Sequence, residues 1–345
     1  MLRDAHIMLA CVSASVLAAV SLGAQQAERV LPLTIEKQGS FFIGGHDVRS
    51  DTLSLIDNYP ASGTVTTGQM YVHYQVPVRA SRYSLVLVHG CCLTGKTWET
   101  TPDGRMGWDD YFVRKGYPTY VVDQVSRGRS AGEMSAVNGV KRGKGGADRL
   151  PTVTEASQEG AWTIFRFGPE YPKTFAGVQF PIESAGEFWK QMVPDWTTAL
   201  PMPNPTVGAL SELARRLERT VLICHSQSGR FPFDAAEASH AGISGIISIE
   251  PGGCPPATGD MKLYLGIPSL VLFGDYIEQS PRWAPRLKNC RDFVAAAKRA
   301  GAPVELLVLP EVGVHGNTHM LMQDRNNLDV ADRLLAWIGR HVEKR

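Results

Sequence analysis

The segment of this chain with the strongest chemical signature is Cys224-His225-Ser226-Gln227-Ser228-Gly229. It follows the apolar run Val221-Leu222-Ile223 and precedes the helical pattern Phe233-Ala235-Ala236-Ala238. A serine presented on a sharp strand-to-helix turn needs small residues two before and two after it, because strand and helix close in on each other there. Cys224 and Ser228 meet that need around Ser226. Centring the turn on Ser228 would put bulky Arg230 at a position that needs a small residue, so Ser226 is the expected nucleophile and Ser228 its rival. A serine hydroxyl is a weak nucleophile at neutral pH. It needs a histidine base, and the histidine needs an acid that fixes its tautomer and stabilises the imidazolium. A plain serine-rich helix cap would need neither.

Both partners have candidates downstream. His315 and His319 lie in the run Pro310 to Met320, between a predicted strand and the last predicted helix, and His319 is favoured because it is nearer the helix entrance. The intervening Gly316-Asn317 does not suggest a helix and no third ligand is near, so no metal is expected there. Glu250 ends the apolar run Ile246-Ile247-Ser248-Ile249 and is followed by Pro251-Gly252-Gly253, while Asp275 follows Phe273-Gly274. A carboxylate at an apolar strand end is costly unless a partner awaits it, which favours Glu250 as the acid and leaves Asp275 as the alternative. When Ser226 attacks a carbonyl, the developing alkoxide needs N–H donors: one from the residue after the nucleophile and one from the loop after an earlier strand. Gln227 supplies the first, and Val88-His89-Gly90-Cys91-Cys92 fits the second, its glycine letting the chain turn back and aim the Cys91 N–H.

These residues need a scaffold that brings strand ends together. Apolar runs at Tyr71-Val78, Tyr83-Val88, Thr119-Val122, Val221-Cys224, Ile243-Ile249, Ser269-Phe273 and Val304-Leu309 lack strict alternation, as strands of a sheet covered on both faces do. Between them lie helical patterns such as Leu210, Leu213, Leu217, and Leu328, Ala331, Leu334, Leu335, Ile338. The expectation is an α/β fold with a doubly wound, mostly parallel sheet, whose ligands bind beyond the carboxyl ends of the strands. The stretch from about 131 to 205 breaks the rhythm and reads as a cap inserted over the site. Its Trp162, Phe165, Phe167, Phe188, Trp189 and Trp196 either line a pocket or form the insertion's own small core.

The chain has 345 residues, 43% of them hydrophobic, which is enough to bury a sizeable core. Its 35 basic and 34 acidic residues are spread along the chain without a basic block, so nucleic acid and anionic membranes are not expected as partners. A short charged start, an apolar run from Ile7 to Leu22 and then Gly23-Ala24 read as a signal peptide over 1–24, which implies a secreted or periplasmic protein over 25–345 with no stable membrane anchor. Cys11 lies within that leader, after a poor lipobox. The remaining cysteines are odd in number: Cys224, in an apolar run, is the expected free thiol. Cys254 with Cys290, and Cys91 with Cys92 as a small strained ring, are the expected disulfides. Apolar residues of the insertion or of Leu328 to Val342 could support a homodimer.

Together these motifs resemble the α/β-hydrolase superfamily from about Tyr71 onward: His89-Gly90, Asp123-Gln124-Val125-Ser126-Arg127-Gly128-Arg129-Ser130, the Ser226 turn and the terminal His319. More narrowly, His89-Gly90-Cys91-Cys92 with the Ser226 motif and Gly316-Asn317-Thr318-His319-Met320 resembles a small group of exported bacterial esterases with a Ser-Glu-His triad. That resemblance implies Glu250 as the acid, Cys91 and Gln227 as oxyanion donors, no cofactor, and a small-molecule carboxylic ester as substrate. Cys224 and Ser228 stand where glycine is usual, which sets the chain apart from the superfamily's common lipases and peptidases. The same triad would also serve an amidase, a peptidase or an acyltransferase, whereas a non-catalytic binding protein on this fold would be expected to have lost a triad member.

Overall fold

The computed structural model describes residues 31–130, 132–195 and 204–344; the expected leader with its Cys11, and Trp196, lie outside the described residues. Among the described residues the strands are β1 (Ile35–Ser50), β2 (Gly63–Pro77), β3 (Ser84–Val88), β4 (Thr119–Asp123), β5 (Thr220–His225), β6 (Ile243–Ile249), β7 (Ser269–Phe273) and β8 (Val304–Val308). They make one sheet in the order β1-β2-β4-β3-β5-β6-β7-β8. β1, β2 and β4 pair antiparallel, and every pairing from β4 through β3 to β8 is parallel.

The helices are α1 (Trp108–Arg114), α2 (Ser135–Lys141), α3 (Gln158–Ile164), α4 (Ala185–Trp189), α5 (Pro205–Leu217), α6 (Phe231–Ala238), α7 (Ala284–Arg299) and α8 (Asn327–His341). Every residue of β3, β4, β5 and β7 is buried, which is why their sequences are apolar except at their ends. Successive side chains point to opposite faces. Val86, Leu222, Ile246 and Val271 pack on one side with Leu213 of α5, Phe233 of α6 and Phe293 of α7. Leu87, Ile223, Ile247 and Leu272 pack on the other with Phe112 of α1 and Leu334 and Trp337 of α8. Leu328 and Leu335 also pack toward this second core, so the apolar stripe of α8 serves the sheet.

The expected strands are all present, six of the seven within a residue of their predicted ends. The exceptions lie at the antiparallel end: β2 starts at Gly63, not Tyr71, and β1 was not expected at all. β1 is half exposed, carries Glu36, Lys37 and Gln38, and is held by its ladder to β2 along most of its length. A strand stabilised by backbone pairing at a sheet edge has no need of an apolar pattern.

Candidate active site

Three strand ends place the chemistry. β5 runs out at His225, and Ser226 takes a left-handed backbone, φ 60°, as the chain reverses into a short 3₁₀ turn (226–230) and then α6. Ser228 is spent in holding this turn: its hydroxyl accepts from the His225 N–H at 3.1 Å and lies 3.1 Å from the Val88 carbonyl and 3.0 Å from that of His225. The rival serine is thus fully buried in backbone contacts, while Ser226 Oγ lies 2.8 Å from His319 Nε2. His319 Nδ1 lies 3.1 Å from Glu250 Oε2, and Glu250 leaves the end of β6 with φ 50°. The structure brings Ser226, His319 and Glu250 into one line of contacts.

The other candidates sit elsewhere. Asp275 follows β7, and its carboxylate accepts from the N–H groups of Gly316 and Tyr276. His315 is largely exposed, 3.5 Å from Asp275. That pair anchors the loop before His319 and stays outside the triad.

The loop after β3 closes over the serine. A Cβ on Gly90 would fall 2.6 Å from Ser226 Cβ, a contact only glycine avoids. This approach carries Cys91 to the nucleophile, and its N–H has no acceptor among the described residues. Gln227 opens the 3₁₀ turn after Ser226, where first-turn N–H groups have no partner within the helix. The close approach of Gly90 to Ser226 therefore brings together the two chain segments that carry these N–H groups. The expected ring between Cys91 and Cys92 is not formed: both are free thiols, and Cys92 takes φ 59° in the turn. Cys254 and Cys290 are bonded, and Cys224 is a buried thiol, as expected.

No family model matches this chain. A bacterial esterase of known atomic-resolution structure is 59% identical, covers 90% of this chain and 98% of its own, and superposes with a TM-score of 0.89. A fungal protein (strain ATCC 74256) described as a probable secreted lipase, phiG, is 27% identical over 327 residues, 78% of this chain and 85% of its own. This chain belongs to the α/β-hydrolase esterases.

Within this esterase the triad is braced by residues that the sequence reading did not single out. Arg166, from the inserted region, is fully buried and grips both Glu250 oxygens, Nη1 to Oε2 at 2.8 Å and Nη2 to Oε1 at 2.6 Å. Its Nε donates to the Asp275 carbonyl, and the Gly274 N–H donates to Glu250 Oε1. Burial alone would raise the Glu250 carboxyl, but the Arg166 charge and the His319 hydrogen bond outweigh it and hold it at about 2. Burial pushes His319 down to about 4 against the opposing pull of Glu250, so the imidazole is neutral at pH 7 and free to accept a proton.

His319 is also held by its backbone and its ring faces. Its N–H donates to the Phe165 carbonyl at 2.9 Å, and its carbonyl lies 2.9 Å from His225 Nε2. Phe165 stacks on the ring at 5.7 Å between centroids, with Trp283 at 4.2 Å. Buried Asp324 accepts from the Thr318 N–H and hydroxyl and from Asn317, pinning the two residues before the base. Of the insertion's aromatics, Phe165, Phe167 and Phe188 pack on one another, as a small core of the insertion would, and Phe165 also stacks on His319.

A second buried pair lies beside the Gln227 side chain. Arg127 bonds Asp195 from Nε and Nη2, and its Nη1 donates to the Gln227 side chain at 2.9 Å. Cys91, Cys92 and Asp195 bring metal-binding atom types within 4.8 Å of one another, but the guanidinium 2.6 Å from Asp195 already neutralises the carboxylate and would oppose a cation. This is an ion-pair site.

The signal that could have found Arg166 is a charged residue inside an aromatic run, Phe165-Arg166-Phe167, because a charge placed there must find a partner.

Proposed function

We propose that this protein hydrolyses carboxylic esters through an acyl-enzyme on Ser226, with His319 as base, Glu250 as the acid that orients it, and the N–H groups of Gln227 and Cys91 as the oxyanion hole. The observation that carries this reading is the unbroken contact from Ser226 Oγ through His319 to Glu250, at 2.8 and 3.1 Å. His319 Nε2 takes the hydroxyl proton as Oγ attacks the carbonyl carbon. The alkoxide that forms is held by the two N–H groups, and the imidazolium by Glu250. Collapse expels the alcohol, which leaves with the proton from His319. Water, deprotonated by the same nitrogen, then attacks the acyl-enzyme and releases the acid. Arg166 keeps Glu250 ionised throughout.

The region from about 131 to 205 acts in this reading as a cap. It interrupts the alternation of strand and helix between β4 and α5 and sends Phe165 and Arg166 into the triad's surroundings. An exported, oxidising location is supported by the leader-like sequence of 1–24, the Cys254–Cys290 bond and the secreted description of the fungal relative. No helix among the described residues is long and apolar enough to cross a membrane.

The test is hydrolysis of a p-nitrophenyl acyl series alongside the matching p-nitroanilides. The reading predicts a burst of p-nitrophenol equal to the enzyme present and little turnover of anilides. Absence of any ester turnover would contradict it, and faster anilide cleavage would make the protein an amidase.

A further inference from the structure

Arginines gather round this site, and they differ in how their charge is met. Arg166 and Arg127 are buried against Glu250 and Asp195. Arg282 and Arg286, one helical turn apart at the start of α7, have no carboxylate within ion-pair distance among the described residues. Like charges at this spacing repel, and a helix's own dipole disfavours cations at its start, so the charge of the pair does not stabilise α7.

Both residues belong to the rim of the site. Between them in sequence, Trp283 packs on the His319 ring at 4.2 Å, and the Arg286 guanidinium lies over that same indole at 5.2 Å. Arg286 Nε donates to the Gly252 carbonyl at 3.1 Å, and the Gly252 N–H in turn donates to the Ser226 carbonyl at 2.8 Å. The other end of the Arg286 guanidinium donates to the Arg282 carbonyl, which ties the two residues together. Arg282 is exposed and immediately precedes Trp283, the residue packed on the His319 ring, and its charge acts on His319. A positive pair with no carboxylate partner therefore borders the base through Trp283 and the Ser226 turn through Gly252.

Resting on the ester-hydrolase reading above, we infer that Arg282, supported by Arg286, recognises a carboxylate on the substrate, so that the preferred esters are anionic ones such as half-esters of dicarboxylic acids. A guanidinium on a carboxylate makes a charge-assisted contact that needs no bond rearrangement and adds to binding only when the negative group is present.

The experiment compares kcat/KM for matched esters: p-nitrophenyl hemisuccinate against p-nitrophenyl butyrate, with the carboxylate on the acyl side, and 4-acetoxybenzoate against phenyl acetate, with it on the alcohol side. In the wild type, at least one anionic ester should be preferred about tenfold over its neutral partner, and the preference should shrink in high salt. Arg282→Gln should remove it, and Arg282→Lys should restore part. Equal rates for charged and neutral esters in both pairs, or a preference that Arg282→Gln leaves intact, would overturn the inference while leaving the hydrolase reading standing. Failure to hydrolyse any of the four would overturn that reading and this inference together.

Discussion

In the proposed mechanism, Ser226, His319 and Glu250 depend on what their neighbours do to their charge. Burial holds His319 at about 4, so kcat/KM for a neutral ester should rise through about pH 4 and stay level to neutrality. A pH–rate profile with its half-rise near 6.5 would show instead that water reaches the imidazole. The second expectation concerns Arg166. Arg166→Gln strips a buried carboxylate of its counter-charge and should cost about 3–5 kcal/mol of stability, measured by denaturant unfolding. It should also move the acid limb of the rate profile upward, since both Glu250 and His319 feel that charge. The Glu250 carboxyl is lowered from 4.5 to about 2 by folding, so its contribution is present above 4.5 and lost as pH falls toward 2. The stability gap between wild type and Arg166→Gln should narrow over that window. The contact line from Ser226 through His319 to Glu250 was legible because functional side chains of such a sheet follow strands and because an unpaired carboxylate at an apolar strand end demands a partner. Arg166 and His225 were not, because each acts on a residue far away in sequence: Arg166 reaches Glu250 across 84 positions and His225 reaches the His319 carbonyl across 94.

At the scale of elements, the loop after β3 and the turn after β5 must approach within van der Waals contact. Gly90→Ala would drive a methyl to 2.6 Å from Ser226 Cβ. The loop would have to retreat and carry the Cys91 N–H with it. Turnover should fall by about 10²- to 10³-fold, as when one oxyanion donor is lost, with KM little changed. Steady-state kinetics on the folded variant measures this, and unchanged kcat would separate Cys91 from the oxyanion role. The central strands were readable as elements because burial on both faces imposes an apolar run, and Ile243–Ile249 and Ser269–Phe273 matched end for end. β1 was illegible for the opposite reason: Glu36, Lys37, Gln38 and Gly39 are no obstacle where one face meets water and the ladder to β2 supplies the pairing.

Across the whole molecule, the esterase joins a sheet with two apolar faces to a region that supplies part of the site's surroundings. The Cys254–Cys290 bond closes a loop of sequence separation 36 that ties the segment after Glu250 to α7. By loop-closure entropy its removal, as Cys254→Ala with Cys290→Ala, should cost about 3–4 kcal/mol, read as a lower denaturation midpoint. No change would show that the loop is already ordered by its packing. The pairing of these cysteines could be guessed from the sequence, but the thiol state of Cys91 and Cys92 could not, because adjacency alone does not set the turn they occupy. The most direct test of the account is labelling with a p-nitrophenyl phosphonate, followed by peptide mapping of wild type and Ser226→Ala. The account predicts a single adduct on Ser226, formed with stoichiometric loss of activity and absent from the variant. An adduct on Ser228, or hydrolysis that survives in Ser226→Ala at wild-type rate, would contradict it.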